Sequence, residues 1–246
     1  MNILFPIAGA GLRFKSEKED IPKILIKIKN KTLLEYSIST LKIEGQYIFI
    51  SLKYENDEYN KEIESIITRL QPNAIIILID KITRGSAETC LAAEKYINND
   101  DELILTNGDQ YLNWNPNQLF DKLQQTKPDG CVSLYDHEDV KLNKLSKYSH
   151  VKLNQNGYAE QFCEKFAISK NSLNGIHYWK HGKYLIDSIK KIIEYDIKIN
   201  GEYYISSTFN FLIKEGKRIN SFKMEKNSYL SLGSPEEIQK NINYIN

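Results

Sequence analysis

The order of apolar segments predicts an α/β chain: a three-layer α/β/α sandwich around a mixed, mostly parallel sheet. Three observations carry this reading. Strand-like and helix-like periodicities alternate through the first 110 residues, as in a sheet whose parallel strands are joined by helices. The run AIIILI (74–79) is apolar at every position, as a strand covered on both faces requires. Beyond residue 130 strand-like segments follow one another more closely, so antiparallel strands join the sheet.

The elements follow in order. ILFPI (3–7) reads as a buried strand. KTLLEYSISTL (31–41) places Leu33, Leu34, Ser37, Ile38 and Leu41 on one helical face. QYIFISL (46–52) is the next strand, and EYNKEIESIITRL (58–70) turns Tyr59, Ile63, Ile66, Ile67 and Leu70 inward. AIIILI is expected to be a central strand, SAETCLAAEKYI (86–97) a helix and ELILT (102–106) a strand. This β-α-β-α-β-α-β succession implies right-handed crossovers. GCVSLYD (130–136), HVKLN (150–154) and GIHYWK (175–180) read as strands of a hairpin-rich half. Helices near 181–195 and 202–215 and a short strand, RINSFKM (218–224), come next. The last helix starts at SPEE (234–237), with Ser234 as N-cap, Pro235 at the first helical position and Glu237 completing a capping box. No repeat or low-complexity linker divides the chain, so residues 1–246 are read as one domain.

Composition excludes several classes. The 246 residues are 41% hydrophobic, enough for one substantial core. Lys and Arg number 33 against 32 Asp and Glu, which leaves no bulk electrostatic footprint for nucleic acid. Any anion must be bound locally. Cys90, Cys131 and Cys163 are odd in number, widely spaced and without a CxxC, as expected of a reducing compartment. No secretory signal or membrane-spanning run is legible, so a cytoplasmic protein with no membrane partner is expected.

Three stretches point to chemistry. PIAGAGLRF (6–14) leaves the first strand through two glycines and no acid. Bare backbone of this kind serves a tight turn, or lies against an anion whose charge its N–H groups cradle. Arg13 and Lys23 flank it with positive charge, and Pro22 restricts the backbone beside Lys23. In LTNGDQYL (105–112), Asp109 sits just beyond the C-terminal end of a buried strand, the edge where open α/β sheets bind ligands. One carboxylate there suits Mg²⁺, and equally suits a tight turn.

In order, PIAGAGLRF, Pro22-Lys23, RGSAE (84–88) and NGDQ resemble the signature of the nucleotidyltransferases that make nucleotide sugars. CEKF (163–166), LNGIHYW (173–179) and YLSLGSPEE (229–237) resemble that family's later landmarks, so the resemblance spans nearly the whole chain. It implies a Rossmann-like nucleotidyltransferase fold, with a nucleotide half over about 1–112 and a second-substrate half over about 113–246. It also implies a reaction. A sugar 1-phosphate oxygen attacks the α-phosphorus of a nucleoside triphosphate, and pyrophosphate leaves in line. By resemblance, Ala8, Gly9, Ala10, Gly11, Gly85, Ser86 and Gly108 border the nucleotide. Arg13 stabilises the leaving pyrophosphate, Lys23 bridges the phosphates and Asp109 holds Mg²⁺. Glu164, Lys165 and Asn174 hold the second substrate.

The chain departs from the family pattern at three places. Ser231 stands where the family carries a second metal-binding Asp, Phe166 replaces a proline, and Leu12 replaces the loop threonine. Three alternatives stay open: a cytidylyltransferase for a non-sugar phosphate such as phosphocholine, a nucleotide-sugar-dependent glycosyltransferase, and a non-catalytic nucleotide-binding homologue. A homodimer is also open. His177 and His181, four residues apart across a strand–helix junction, read as unrelated and not as a zinc pair. The aromatic cluster HYWKHGKY (177–184) and EYY (202–204) suits stacking on a sugar or base, a dimer interface or the core, and is read as core.

Overall fold

The computed structural model describes residues 1–11, 14, 21–137 and 139–245. β1 (Asn2–Pro6) leads through a 3-10 turn at Lys23–Leu25 and the short strands β2 (Lys27–Ile28) and β3 (Lys31–Thr32) into α1 (Leu33–Leu41). Thr32 caps α1 in a full capping box with Glu35, as side chain and backbone satisfy each other's open groups. β4 (Gln46–Leu52), α2 (Asp57–Leu70) and β5 (Ile75–Ile79) follow. α3 (Ser86–Cys90) and α4 (Glu94–Ile97) come next, then β6 (Leu103–Leu105).

β4 and β6 flank β1, both parallel to it, and β5 runs parallel beyond β4. The second half adds β7 (Gln110–Leu112), α5 (Asn117–Thr126), β8 (Gly130–Tyr135), β9 (Leu145–Leu153), β10 (Ala159–Phe166) and β11 (Ser172–Trp179). β11 is antiparallel to both β6 and β8. The β9–β10 hairpin attaches where Ser172 pairs with His150. α6 (Gly182–Glu194) and α7 (Ile205–Lys214) precede β12 (Ile219–Lys223), which lies parallel to β8. β13 (Tyr229–Ser231) pairs with β7, and α8 (Pro235–Asn241) closes the order.

The strand period of two divides the core into two layers. Ile3, Phe5, Phe49 and Tyr178 face one way, toward Leu34 and Ile38 of α1 and Ile63 and Ile67 of α2. Leu4, Ile48, Leu105 and Trp179 face the other, toward Ile186 and Ile189 of α6 and Phe209 of α7. The three-layer sandwich and the mixed sheet are as the sequence predicts.

Four elements differ from expectation. AIIILI is not central: β5 is the edge of the sheet, and Leu78 is 50% exposed. Its apolarity reflects partial cover on both faces, not strand neighbours on both sides. The helix of 86–97 breaks into α3, a 3-10 turn at Leu91–Ala93, and α4. The helix of 202–215 starts at Ile205, because Ile199 and Glu202 form a bridge around a turn through Gly201 at φ +82°. At α8, Ser234 accepts from the Glu237 backbone N–H at 3.3 Å and Pro235 sits at the first helical position. Glu237 does not return to Ser234, so the capping box is half formed. Its carboxylate is turned toward Ser231 and Lys147.

Candidate active site

Residues 7–11 leave β1 at the C-terminal edge of the parallel strands, where an open sheet forms a crevice. Among the described residues no atom lies within 4 Å of where a Cβ on Gly9 would stand, so its backbone lies open toward them. Gly11 has φ +62°, and a Cβ there would lie 3.0 Å from Lys23 Cβ. The second glycine therefore lets the loop rest against Lys23. Leu12 and Arg13 lie outside the described residues. Buried Ile24 and Leu25 anchor the 3-10 turn that Lys23 opens. The Lys23 ammonium pairs with Asp109 Oδ2 and sits 5.4 Å from the centre of the Phe14 ring.

Asp109 is placed by a close approach. A Cβ on Gly108 would fall 2.5 Å from Ile7 Cγ2, so glycine lets the turn after β6 press onto the loop after β1. The Asp109 carbonyl accepts from Leu232 N–H at 2.9 Å, which ties the turn to the end of β13. On the other side, Gly85 has φ +126°, and a Cβ there would meet Tyr203 O at 2.4 Å. Tyr203 N–H donates to Arg84 O at 2.7 Å and Ala87 N–H to Tyr203 O at 3.1 Å, so this strap is double. Arg84 and Glu88 pair at 2.5 Å, and that hydrogen bond holds the Glu88 carboxyl below its usual range.

Two cavities meet here. One, of about 390 Å³, is lined by Gly9, Ala10, Gly11, Lys23, Gly108 and Asp109. The other, of about 240 Å³, is lined by Glu164, Lys165, Asn174, His177, Ser206 and Tyr204. Pro6, Ser86, Asn107 and Asp109 border both. Ala8 is buried under the loop. Of the residues singled out from the sequence, Ser86 and Asp109 border both cavities and Gly85 lines neither.

In the second cavity Glu164 is 7% exposed, yet well provided. Its Oε2 accepts from Ser149 Oγ and, at 2.7 Å, from Ser206 Oγ, while Lys165 Nζ lies 3.5 Å from Oε1. Lys165 has φ +60° at a register shift between Glu164 and Phe166, and its ammonium donates to Lys147 O at 2.8 Å. Asn174 directs its amide into the protein: its Oδ1 accepts from Ser133 Oγ and from Ile176 N–H at 3.2 Å, and its Nδ2 contacts Met224 Sδ. Its carbonyl faces Asn107 Nδ2 at 3.4 Å. His177 sits in β11 and His181 at the N-terminal boundary of α6, with its Nδ1 2.7 Å from Asp100 O, which separates them as expected. Tyr178, Trp179 and Tyr203 are core, whereas Tyr204 lines the cavity.

Glu237 escaped the sequence reading, because its place in SPEE already had a local explanation. Its Oε2 accepts from Ser231 Oγ at 2.7 Å, and its Oε1 lies 3.2 Å from Lys147 Nζ. The position a Cβ would take on Gly233 is 3.1 Å from Glu237 Oε2, 3.2 Å from Asp109 Oδ2 and 3.4 Å from Ser231 Oγ. Two carboxylates and a hydroxyl therefore converge on one small region.

A family model described as nucleotidyl transferase matches residues 7–245, nearly the whole chain. The chain belongs to the nucleotidyl transferase family. Individual members are distant from this nucleotidyltransferase. The UTP–glucose-1-phosphate uridylyltransferase of Haloferax volcanii is 23% identical over 94% of this chain and 90% of its own. The bifunctional protein GlmU of Aliarcobacter butzleri is 24% identical over 96% of this chain, which spans 51% of that relative's length. A crystal structure of a nucleoside-diphosphate-sugar pyrophosphorylase from Vibrio cholerae superposes with a TM-score of 0.80 at 20% identity, covering 98% of this chain and 99% of that one. That likeness gives the nucleotidyltransferase fold independently. No helix among the described residues is long and apolar enough to cross a membrane.

Proposed function

We propose that the chain is a Mg²⁺-dependent nucleotidyltransferase that joins a nucleoside triphosphate to a sugar 1-phosphate, or a similar small phosphate, and releases pyrophosphate. One observation carries this reading: the glycine-lined cavity and the polar cavity of Glu164 meet at the Lys23–Asp109 pair. A reaction between two phosphates needs them brought together beside a cation, and positioning with charge neutralisation supplies most of the catalysis.

In this reading the open backbone of Gly9 and Gly11 takes the triphosphate, and Arg13 on the same loop holds the pyrophosphate as it leaves. Gly85 and Ser86 border the base. Lys23 sits against Asp109 until phosphate oxygens compete for its ammonium, and then lies between the two substrates. Glu164 and Lys165 orient the second substrate, with the Asn174 segment forming the wall beside them. The arrangement fits Mg²⁺, which favours one or two protein carboxylates completed by phosphate oxygens and water. Among the described residues no three His, Cys, Asp or Glu side chains gather as a preformed metal group. Asp109 would hold the ion, with Glu237 supplying the acid that Ser231 lacks, and the ion would neutralise charge on the phosphates. A glycosyltransferase reading is less favoured, since a donor already carrying its sugar has less need of the Lys23 and Arg13 cations.

Product labelling tests the reading. With nucleotide labelled at the α-phosphate, the label should enter a product that also contains the acceptor; label remaining in free nucleotide, or in a monophosphate alone, sinks it. Glu237 is tested separately. Glu237→Gln keeps the side-chain shape and should weaken Mn²⁺ binding to the nucleotide complex by about 10–100-fold, read by electron paramagnetic resonance. Unchanged affinity would remove Glu237 from the metal's neighbourhood.

A further inference from the structure

Lys147 has no part in the reaction described above, yet its ammonium is the counter-charge of Glu237. It extends from β9, with Nζ 3.2 Å from Glu237 Oε1 and 3.9 Å from Asp139 Oδ2. The ammonium lies 5.1 Å from the centre of the Tyr148 ring. Lys147 lines the same cavity as Glu164 and Lys165, and Lys165 Nζ donates to Lys147 O at 2.8 Å, so the two lysines are tied together there. The partners of the Lys147–Glu237 pair differ in freedom. The Glu237 side chain is 13% exposed and accepts from Ser231 Oγ at 2.7 Å, whereas that of Lys147 is 51% exposed. The lysine is the partner that can leave.

This pairing repeats that of Asp109. Asp109 and Glu237 converge across Gly233, and each carboxylate meets a lysine ammonium from a distant part of the chain, Lys23 for one and Lys147 for the other. Two carboxylates and two ammoniums leave this patch neutral. A divalent cation takes carboxylate oxygens and so competes with both ammoniums for them. A phosphate dianion has the opposite need, since its oxygens accept from ammonium groups. If cation and phosphate enter together, each finds the partner that the other sets free. The charge of the half-buried patch then stays balanced, and no ion is left there uncompensated.

We propose that Lys147 exchanges partners during the reaction: it neutralises Glu237 in the free protein, and binds the phosphate of the acceptor once Glu237 turns to the cation. This rests on the nucleotidyltransferase reading and adds a phosphate-binding residue to it. Lys147 therefore opposes cation binding in the free protein and supports acceptor binding in the loaded one. Removing it moves the two affinities in opposite directions.

The test uses the purified full chain and two readouts. The first is Mn²⁺ binding without nucleotide, followed by electron paramagnetic resonance in wild type, Lys147→Met, Glu237→Gln and the double variant. Methionine keeps an apolar stem beside Tyr148 and removes the charge. Lys147→Met should tighten Mn²⁺ binding by about 3-fold or more, because Glu237 no longer has to release an ammonium. The gain should vanish when Glu237→Gln is also present, as for two groups that act through each other. The second readout is steady-state kinetics with Mg²⁺, nucleoside triphosphates, and the 1-phosphates of glucose, galactose, mannose and myo-inositol together with choline phosphate. For the acceptor that wild type uses, Lys147→Met should raise the KM by about 10-fold, with the nucleotide KM unchanged. Lys147→Arg keeps the charge and should recover most of that loss. A merely structural residue would not tighten one ligand while loosening the other. Unchanged or weaker Mn²⁺ binding in Lys147→Met, a gain that survives Glu237→Gln, or an unchanged acceptor KM would each overturn the proposal while nucleotidyl transfer stands. Silence of the wild type with every acceptor would defeat the functional reading itself, and this proposal with it.

Discussion

Asp109→Asn is expected to lower turnover by about three orders of magnitude or more, close to 4 kcal/mol of transition-state stabilisation. Asp109 is the acid common to both cavities, the partner of Lys23, and a neighbour of Glu237 across Gly233. Asparagine keeps the shape and the backbone bond to Leu232, but removes the charge that would hold the metal. Lys23→Ala should fall by a similar factor, because it removes the cation between the two phosphates. The double variant should be little worse than either, since residues acting as one unit lose their effect together. Steady-state kinetics with a melting curve for each variant checks this. Near-wild-type turnover in both single variants would place the chemistry elsewhere.

The second large effect is structural. Gly85→Ala should destabilise the chain by about 3–5 kcal/mol, through backbone strain added to direct overlap. Gly85 has φ +126°, and the new Cβ would lie 2.4 Å from Tyr203 O and 2.6 Å from Tyr203 N. These are backbone atoms of the strap that carries Tyr204 and Ser206 into the second cavity, so they cannot rotate aside. At about 2–4 °C per kcal/mol for a domain of this size, thermal unfolding should fall by roughly 10 °C. A shift within 2 °C would mean that the strap yields easily. By contrast, Gly9→Ala has open space around its Cβ among the described residues and should leave the melting temperature near that of wild type, with any effect appearing in nucleotide affinity.

Much of the first half is legible because its signals are local. The faces of α1 and α2 and the apolar β1 and β4 follow from periods of 3.6 and two residues. The glycine loop and Asp109 follow from their places behind strands. The position of β5 is not legible, since an all-apolar strand reports how its faces are covered and says nothing of how many strands flank it. Of β10 only CEKF is legible, as a motif: the strand mixes exposed Glu160 and Gln161 with buried Phe162 and Glu164 and carries a bulge. The serines on Glu164 come from 15 and 42 residues away, so no window of sequence unites them. Glu237 is the most instructive case. SPEE satisfies a local capping rule, and tertiary contacts with Ser231 and Lys147 draw the carboxylate away from it.

Pyrophosphate release tests the central claim most directly. The purified chain would receive Mg²⁺, each of the five common nucleoside triphosphates, and the acceptor phosphates in turn. One pyrophosphate per nucleotide consumed is expected, only when a matching nucleotide and acceptor are both present. Absence of pyrophosphate from every pair, with nucleotide still raising the melting temperature, would contradict it and leave a nucleotide-binding protein without transfer chemistry.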